Sequence, residues 1–284
     1  MGQAIDLRSK CPHFRILVIG RANAGKTTLL KKVCNSVEDP EIFNPDGKRL
    51  DLDIVEGSVE RGEHDIENQL IFKSNRQFIF HDSRGFESGS ANEIQKVKEF
   101  ITARSRTGQL SDQLHAIWYC MPTDTTRPLL AADEQFFSVS VPVIAIFTKF
   151  DGLIQEVFSE LRGDGKSVLD AKNAAPERAQ EVLISNFIGP LKTTKFRPSD
   201  FVRMDDMRME QSDCIDLIDK TANALTNDTL KLLFVSVQQN NIDLCIHYAV
   251  TNSFNGEPPG VGMSMELVIG WFPHTWNVSV ECQA

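Results

Sequence analysis

The stretch "RILVIGRANAGKTTLL", residues 15–30, decides the fold. An apolar run closes at Gly20, then Gly25, Lys26 and Thr27 precede a second apolar run. The spacing fits GxxxxGK[ST]. Set between a strand and a helix, such a loop turns its backbone N–H groups inward around phosphate oxygens, and the helix presents its positive end to the anion. Glycine allows the close approach. On this reading Gly20, Asn23, Ala24, Gly25, Lys26, Thr27 and Thr28 hold phosphates, with Lys26 on the β and γ groups and the Thr27 hydroxyl on Mg²⁺.

The rest of the chain is compatible with one large α/β domain. It has 284 residues, 41% of them apolar, enough for a sizeable core with an insertion or small appendage. A net charge of -9 argues against a nucleic-acid partner. The six cysteines lie far apart and form no CxxC, so the expectation is free thiols in a reducing compartment. No signal-peptide pattern opens the sequence and no apolar run is long enough to span a bilayer. Gly2 lacks the Ser or Thr that myristoylation expects at Asp6, and "ECQA" is out of register for prenylation. A cytoplasmic protein without a membrane anchor is expected.

Short apolar runs alternate with helical patterns. Ile16–Ile19, "AIWYCM", "VPVIAIF" and "KLLFVSV" read as strands buried on both faces, as in a mostly parallel sheet. "QLIF" and "QFIF", either side of Ser74-Asn75, read as an antiparallel hairpin. Helices are expected at Thr27–Cys34, Asn92–Arg104, Leu129–Phe137 and Asn241–Val250. Between "TKFD" (148–151) and "FVSVQQ" (234–239) lies a long segment read as a mostly helical insertion. Within it Pro176 is expected in a first helical turn, "FVRM" (201–204) as an extra strand, and Ser212 as the cap of a helix with Ile215, Ile218, Ala222 and Leu225 on one face.

Two further motifs choose the nucleotide. "FIFHDSRG" ends a strand in Asp82-Ser83-Arg84-Gly85, a DxxG match. Asp82 can hold Mg²⁺ through water, and the Gly85 N–H can sense a γ-phosphate. "VIAIFTKFD" ends in Thr148-Lys149-Phe150-Asp151, a [NT]KxD match. The Asp151 carboxylate can accept both N1–H and N2–H₂ of guanine, whereas adenine leaves a charged acceptor unpaired. The Lys149 stem can lie along the base.

With these three motifs in order, the sequence resembles the translation-factor-related P-loop GTPases, the class of Ras, Era and septins, over residues 13–151 and a strand near 236. In finer layout it is similar to fungal proteins known only by their G domain. The resemblance implies a three-layer Ras-like α/β G domain with a mainly parallel sheet, expected over 1–251 with the insertion at about 152–230, and a packed tail over 252–284. It implies GTP and GDP as ligands, Mg²⁺ as cofactor, and hydrolysis of GTP as a molecular switch, with a homodimer and an unknown effector as partners. The base-sensing fifth motif is placed at Ser236-Val237-Gln238, with "FVRMDD" as the rival.

The sequence departs from Ras-like proteins in its hydrolytic residues. Phe86 stands directly after DxxG, where Ras-like proteins have the glutamine that orients water. No threonine occurs between Thr28 and Thr102, so Ser58 is the stand-in for the Mg²⁺ ligand of the first switch. Arg61 can supply a cis arginine finger and His64 can hold the water. Arg84 is another cationic candidate. Asn23 instead fits GTPases activated by K⁺, where an asparagine at this place helps hold the cation beside the phosphates. A nucleotide-dependent binding module with negligible hydrolysis is the alternative, and a P-loop ATPase the third reading.

Overall fold

The computed structural model describes residue 7 and residues 10–50, 65–83, 91–124, 138–209, 211–238 and 246. Eight strands form one sheet: β1 Phe14–Gly20, β2 Glu41–Phe43, β3 Arg49–Leu50, β4 Gln69–Phe72, β5 Asn75–Asp82, β6 Ala116–Pro122, β7 Val143–Thr148 and β8 Asp200–Arg203. Their spatial order is β3-β2-β4-β5-β1-β6-β7-β8. The run from β5 to β8 is parallel, and β2, β3 and β4 pair antiparallel at the other edge. The hairpin at "QLIF" is β4–β5, with Phe72 opposite Asn75.

Alternate side chains of each strand feed opposite layers. Ile16, Val18, Phe78, Phe80, Trp118, Ile144 and Val202 pack under α1 Lys26–Val33, α6 Ile215–Ala224 and α7 Asp228–Ser236. Leu17, Ile19, Ile117, Tyr119, Ala145 and Phe147 pack under α2 Ala91–Arg106, α3 Phe150–Gly163 and α4 Val168–Val182. This is a three-layer α/β fold with the mainly parallel sheet as its middle layer. The central strands β1 and β6 are buried at every position, which explains their unbroken apolarity.

Several local expectations are corrected. "KLLFVSV" is not a strand but the body of α7, whose start is capped by Asn227 Oδ1 accepting from the N–H groups of Thr229 (2.8 Å) and Leu230 (3.3 Å). A helix buried on most sides carries the same apolar run as a buried strand, so the pattern alone does not separate them. Pro176 lies inside α4 rather than in its first turn. Ser167 opens that helix earlier, its Oγ accepting from the Asp170 N–H at 3.1 Å. Ser212 does not cap α6; the Ile215 N–H goes to Asp213 Oδ1 (3.1 Å), and Ile215 itself is 44% exposed.

The segment read as an insertion is helical, with a six-residue π-helical stretch at Leu183–Ile188 and a short α5 at Gly189–Thr193. It also contains β8, which joins the sheet beside β7. "FVRM" is therefore part of the core sheet, not an addition to it. The helices expected at 129–137 and 241–250 and the tail at 252–284 lie outside the described residues, Ile246 apart.

A buried polar cluster sits on the α2 side of the sheet. The Arg15 backbone N–H donates to His115 Nδ1 (2.9 Å), and its guanidinium Nη1 donates to His81 Nε2 (3.2 Å). Since each histidine accepts at one nitrogen, its other N–H donates: His115 Nε2 to Leu110 O and His81 Nδ1 to Ile66 O, both at 2.9 Å. Both rings are thus neutral and fixed in opposite tautomers. Burial pushes His81 down to about 3 and His115 down to about 4. Unfolded histidine binds a proton below about pH 6.5, so the unfolded state gains protons first and stability falls as pH drops. For His115 the loss is about 3 kcal/mol between about pH 6.5 and 4. In urea unfolding, the stability difference between wild type and His115→Gln is expected to shift by that order over this window. A difference that does not change with pH would contradict the assignment.

Candidate functional site

The described residues form an open cleft of about 880 Å³ along the C-terminal ends of the parallel strands, a volume within the usual range for ligand sites. Its two ends are built by different motifs. Asn23, Ala24, Gly25, Lys26, Thr27, Thr28 and Asp82 line one end; Thr148, Lys149, Asp151, Gly152 and Asp124 line the other. Asp206, Met207, Arg208 and Met209 also line it.

The loop from Gly20 to Gly25 takes its shape from local sterics. A Cβ at Gly20 would lie 2.6 Å from the Cys120 carbonyl oxygen, so β1 and β6 can meet there only with glycine. Gly25, the residue before α1, has φ +79, the left-handed region glycine favours. Asn23 is also left-handed, at φ 58, a conformation asparagine tolerates. That explains the residue type at Asn23 without a cation. Ala24 N–H donates to Arg21 O (3.1 Å) and closes the turn.

Lys26 is buried. Its Nζ donates to the carbonyls of Gly20 (3.3 Å) and Arg21 (3.4 Å) and lies 3.7 Å from Asp82 Oδ1. Asp82 closes β5, and its side chain keeps 28% of its exposure, yet Oδ1 is sealed from water with no hydrogen-bond partner. Desolvation raises its carboxyl to about 6, the Lys26 ammonium opposing the shift. The sealed Oδ1 of Asp82, with Thr27 and Thr28 lining the same cleft, is a donor set suited to Mg²⁺, which takes one or two protein oxygens plus waters and phosphate. Among the described residues no group of three or more His, Cys, Asp or Glu gathers at one point.

The other end is tied to the first. Thr148 Oγ1 donates to the Ala24 carbonyl at 2.8 Å, so the end of β7 holds the loop between β1 and α1 directly. The Thr148 carbonyl in turn accepts from Thr123 N–H (3.0 Å) and Thr123 Oγ1 (3.1 Å), which also donates to Lys149 O (3.0 Å). Lys149 sits at φ 59, and its Nζ pairs with Asp124 Oδ2 at 2.8 Å. Asp151 follows in the first turn of α3.

Lys26, Thr27, Thr28, Asn23, Ala24, Gly25, Asp82, Thr148, Lys149 and Asp151 therefore share one cleft. Gly20 supports it from below. Ser236 and Val237, expected as the base-sensing pair, do not line it. They lie in and just beyond α7, fully buried, with Ser236 Oγ donating to Leu233 O (2.8 Å) and the Val237 carbonyl accepting from Asn75 Nδ2 (3.2 Å). The rival segment "FVRMDD" reaches the cleft at its last residue, Asp206, and Met207 just beyond it lines the cleft as well. Ser58, Arg61, His64, Arg84, Gly85 and Phe86 lie outside the described residues.

Sequence reasoning missed Asp124, Gly152 and Met207–Met209. Asp124 had a signal, since "MPTD" ends β6 just as "TKFD" ends β7. Gly152 had none; a Cβ there would sit in ordinary contact with Asp124 Cβ, at 3.4 Å.

No family model matches the chain, and no curated protein matches it in sequence. Among solved structures, a GDP-bound NFeoB variant from S. thermophilus covers 94% of this chain and 80% of its own, at 14% identity and TM-score 0.41. A second GDP-bound variant, of the S. thermophilus FeoB G-domain, covers 95% and 83%, at 14% identity and TM-score 0.40. A septin GTPase domain from Chlamydomonas reinhardtii covers 49% and 53%, at 18% identity and TM-score 0.31. Likenesses this loose carry nothing about residues or chemistry. Among the described residues no helix is long and apolar enough to cross a membrane.

The cost of the sealed carboxylate is measurable. Folded Asp82 binds its proton more tightly than unfolded aspartate, so stability falls as pH rises from about 4 to about 6. Above that window the charge costs on the order of 3 kcal/mol. Asp82→Asn is expected to stabilise the nucleotide-free protein by about 1–3 kcal/mol near neutral pH, and by almost nothing near pH 4, in urea unfolding. A variant no more stable than wild type near neutral pH would contradict this.

Proposed function

We propose that the protein binds guanine nucleotides in this cleft with Mg²⁺ and hydrolyses GTP to GDP and phosphate as a molecular switch. One observation carries the reading: a GK[ST] loop and a [NT]KxD strand end face a single cleft and are joined by the Thr148–Ala24 hydrogen bond.

The residues divide the work. Loop amides from Asn23 to Thr28, at the positive end of α1, surround phosphate oxygens. The Lys26 ammonium, now on loop carbonyls and Asp82, moves the short distance to β and γ oxygens. Thr27 and Asp82, with Ser58 from the first switch, would hold Mg²⁺, which when bound offsets charge on the transferring phosphoryl group. Asp151 accepts from guanine and Lys149 covers the base. Asp206 and Met207, following β8, take the base-sensing place expected of Ser236 and Val237.

The positive charge that replaces the Ras-type machinery comes from Arg61 or from K⁺ beside Asn23. His64 and the Gly85 N–H position water and γ-phosphate. A second reading is favoured by Phe86: with no hydrogen-bonding group after DxxG, the chain acts as a nucleotide-dependent binding module that barely hydrolyses. Self-association and an effector belong to the same switch reading.

Titration calorimetry with Mg²⁺ tests the binding reading. Two donors lost from a charged acceptor cost roughly 1.5–3 kcal/mol each, so GTP is expected to bind at least about a hundredfold more tightly than ATP. Equal affinities would contradict it. Single-turnover assays in KCl and NaCl, with Asn23→Ala and Arg61→Ala, then locate the charge. Turnover no faster than in Lys26→Ala leaves the binding-module reading standing.

A further inference from the structure

The loop between β8 and α6 reaches the cleft at Asp206–Met209, with Met204 and Met207 packed on the core. Met204 N–H donates to Phe147 O (2.8 Å) and anchors its start. Asp206 is left-handed at φ 45, and Met209 N–H closes a turn onto Asp206 O at 2.7 Å. Met209 is 51% exposed, so its side chain does not hold the turn in place. Its carbonyl does. That oxygen accepts from Ser212 Oγ (2.8 Å), from Ser212 N–H (3.3 Å) and from Lys32 Nζ (2.5 Å), and the same ammonium donates to Ser212 O at 3.4 Å.

Lys32 belongs to the last turn of α1, the helix whose first residue is Lys26. One rigid helix thus carries the phosphate-binding lysine at its start and a grip on the opposite wall of the cleft at its end. We propose that Lys32 is a positioning residue: it latches the loop at Asp206–Met209 over bound nucleotide and sets the rate at which the nucleotide leaves. The inference rests on the guanine-nucleotide reading above. A lysine at a helix C-terminus is favoured by the helix dipole, and hydrogen bonds from a charged donor are the stronger kind. With the latch removed, the loop keeps its internal turn, the tether at Met204, the Arg203–Asp205 pair and the packing of Met207 on the core, and loses its hold at Met209. Opening it uncovers the cleft without disturbing the phosphate loop.

The same helix provides a control. Lys31 pairs with Asp39 at 2.8 Å, not with the loop. The test is stopped-flow release of N-methylanthraniloyl-GDP, chased with excess GDP, from the full chain with Mg²⁺. Lys32→Met is expected to speed release about tenfold, Lys31→Met to leave it unchanged, and Lys32→Arg, which keeps a charged donor, to restore most of the wild-type rate. Thermal melting without nucleotide is expected to move little in all three. Release within twofold of wild type for Lys32→Met overturns the latch. So does equal acceleration by Lys31→Met, no rescue by Lys32→Arg, or a melting loss in Lys32→Met alone. A wild-type chain that never retains the probe removes the nucleotide reading, and the latch with it.

Discussion

The hydrogen bond from Thr148 Oγ1 to the Ala24 carbonyl does more than any other to define the site. A loop that presents its amides to an anion turns some carbonyls away, and those need donors elsewhere. Here the donor comes from the end of β7, the strand that leads into Lys149 and Asp151. Satisfying the loop and positioning the base motif are therefore the same interaction. Gly20 makes it reachable, because only without a Cβ can β1 and β6 close on each other where the loop begins.

The cleft also stores unfavourable electrostatics. Asp82 keeps one oxygen sealed and unpartnered, and Lys26 offsets the cost only in part. A core selected for stability alone would not hold such a carboxylate. The arrangement makes sense if a cation and a polyanion arrive together: the cation takes Asp82, and Lys26 turns to phosphate. Farther from the cleft, the histidines around Arg15 show the opposite solution, with every ring nitrogen paired and both rings neutral.

Much of this was readable in the chain itself, for physical reasons that differ by element. The loop between β1 and α1 was legible because backbone geometry demands glycine at Gly20 and favours it at Gly25. The β4–β5 hairpin and the buried strands β1, β6 and β7 followed from short apolar runs bounded by turn residues. The α7 segment was misread because "KLLFVSV" has no exposed face to reveal a helical period, and its one clear signal, Asn227, precedes the run. The same ambiguity displaces Ser236 and Val237: at the end of a strand they would reach the cleft, but in and just beyond α7 they are buried and do not line it. β8 was seen as an extra strand because its four residues are too short to look like the sheet edge. Lys32 acts through contacts distant in sequence, which no local pattern carries.

The central claim is that Asp151 selects the base within the cleft whose other end Lys26 commands. The direct measurement is the affinity of Asp151→Asn for xanthosine and guanosine diphosphates, since asparagine's amide can donate where xanthine presents a carbonyl. The account predicts that the substitution reverses the preference, weakening the guanine nucleotide and strengthening the xanthine one, with Lys26→Ala weakening both. Unchanged preference in Asp151→Asn would contradict it.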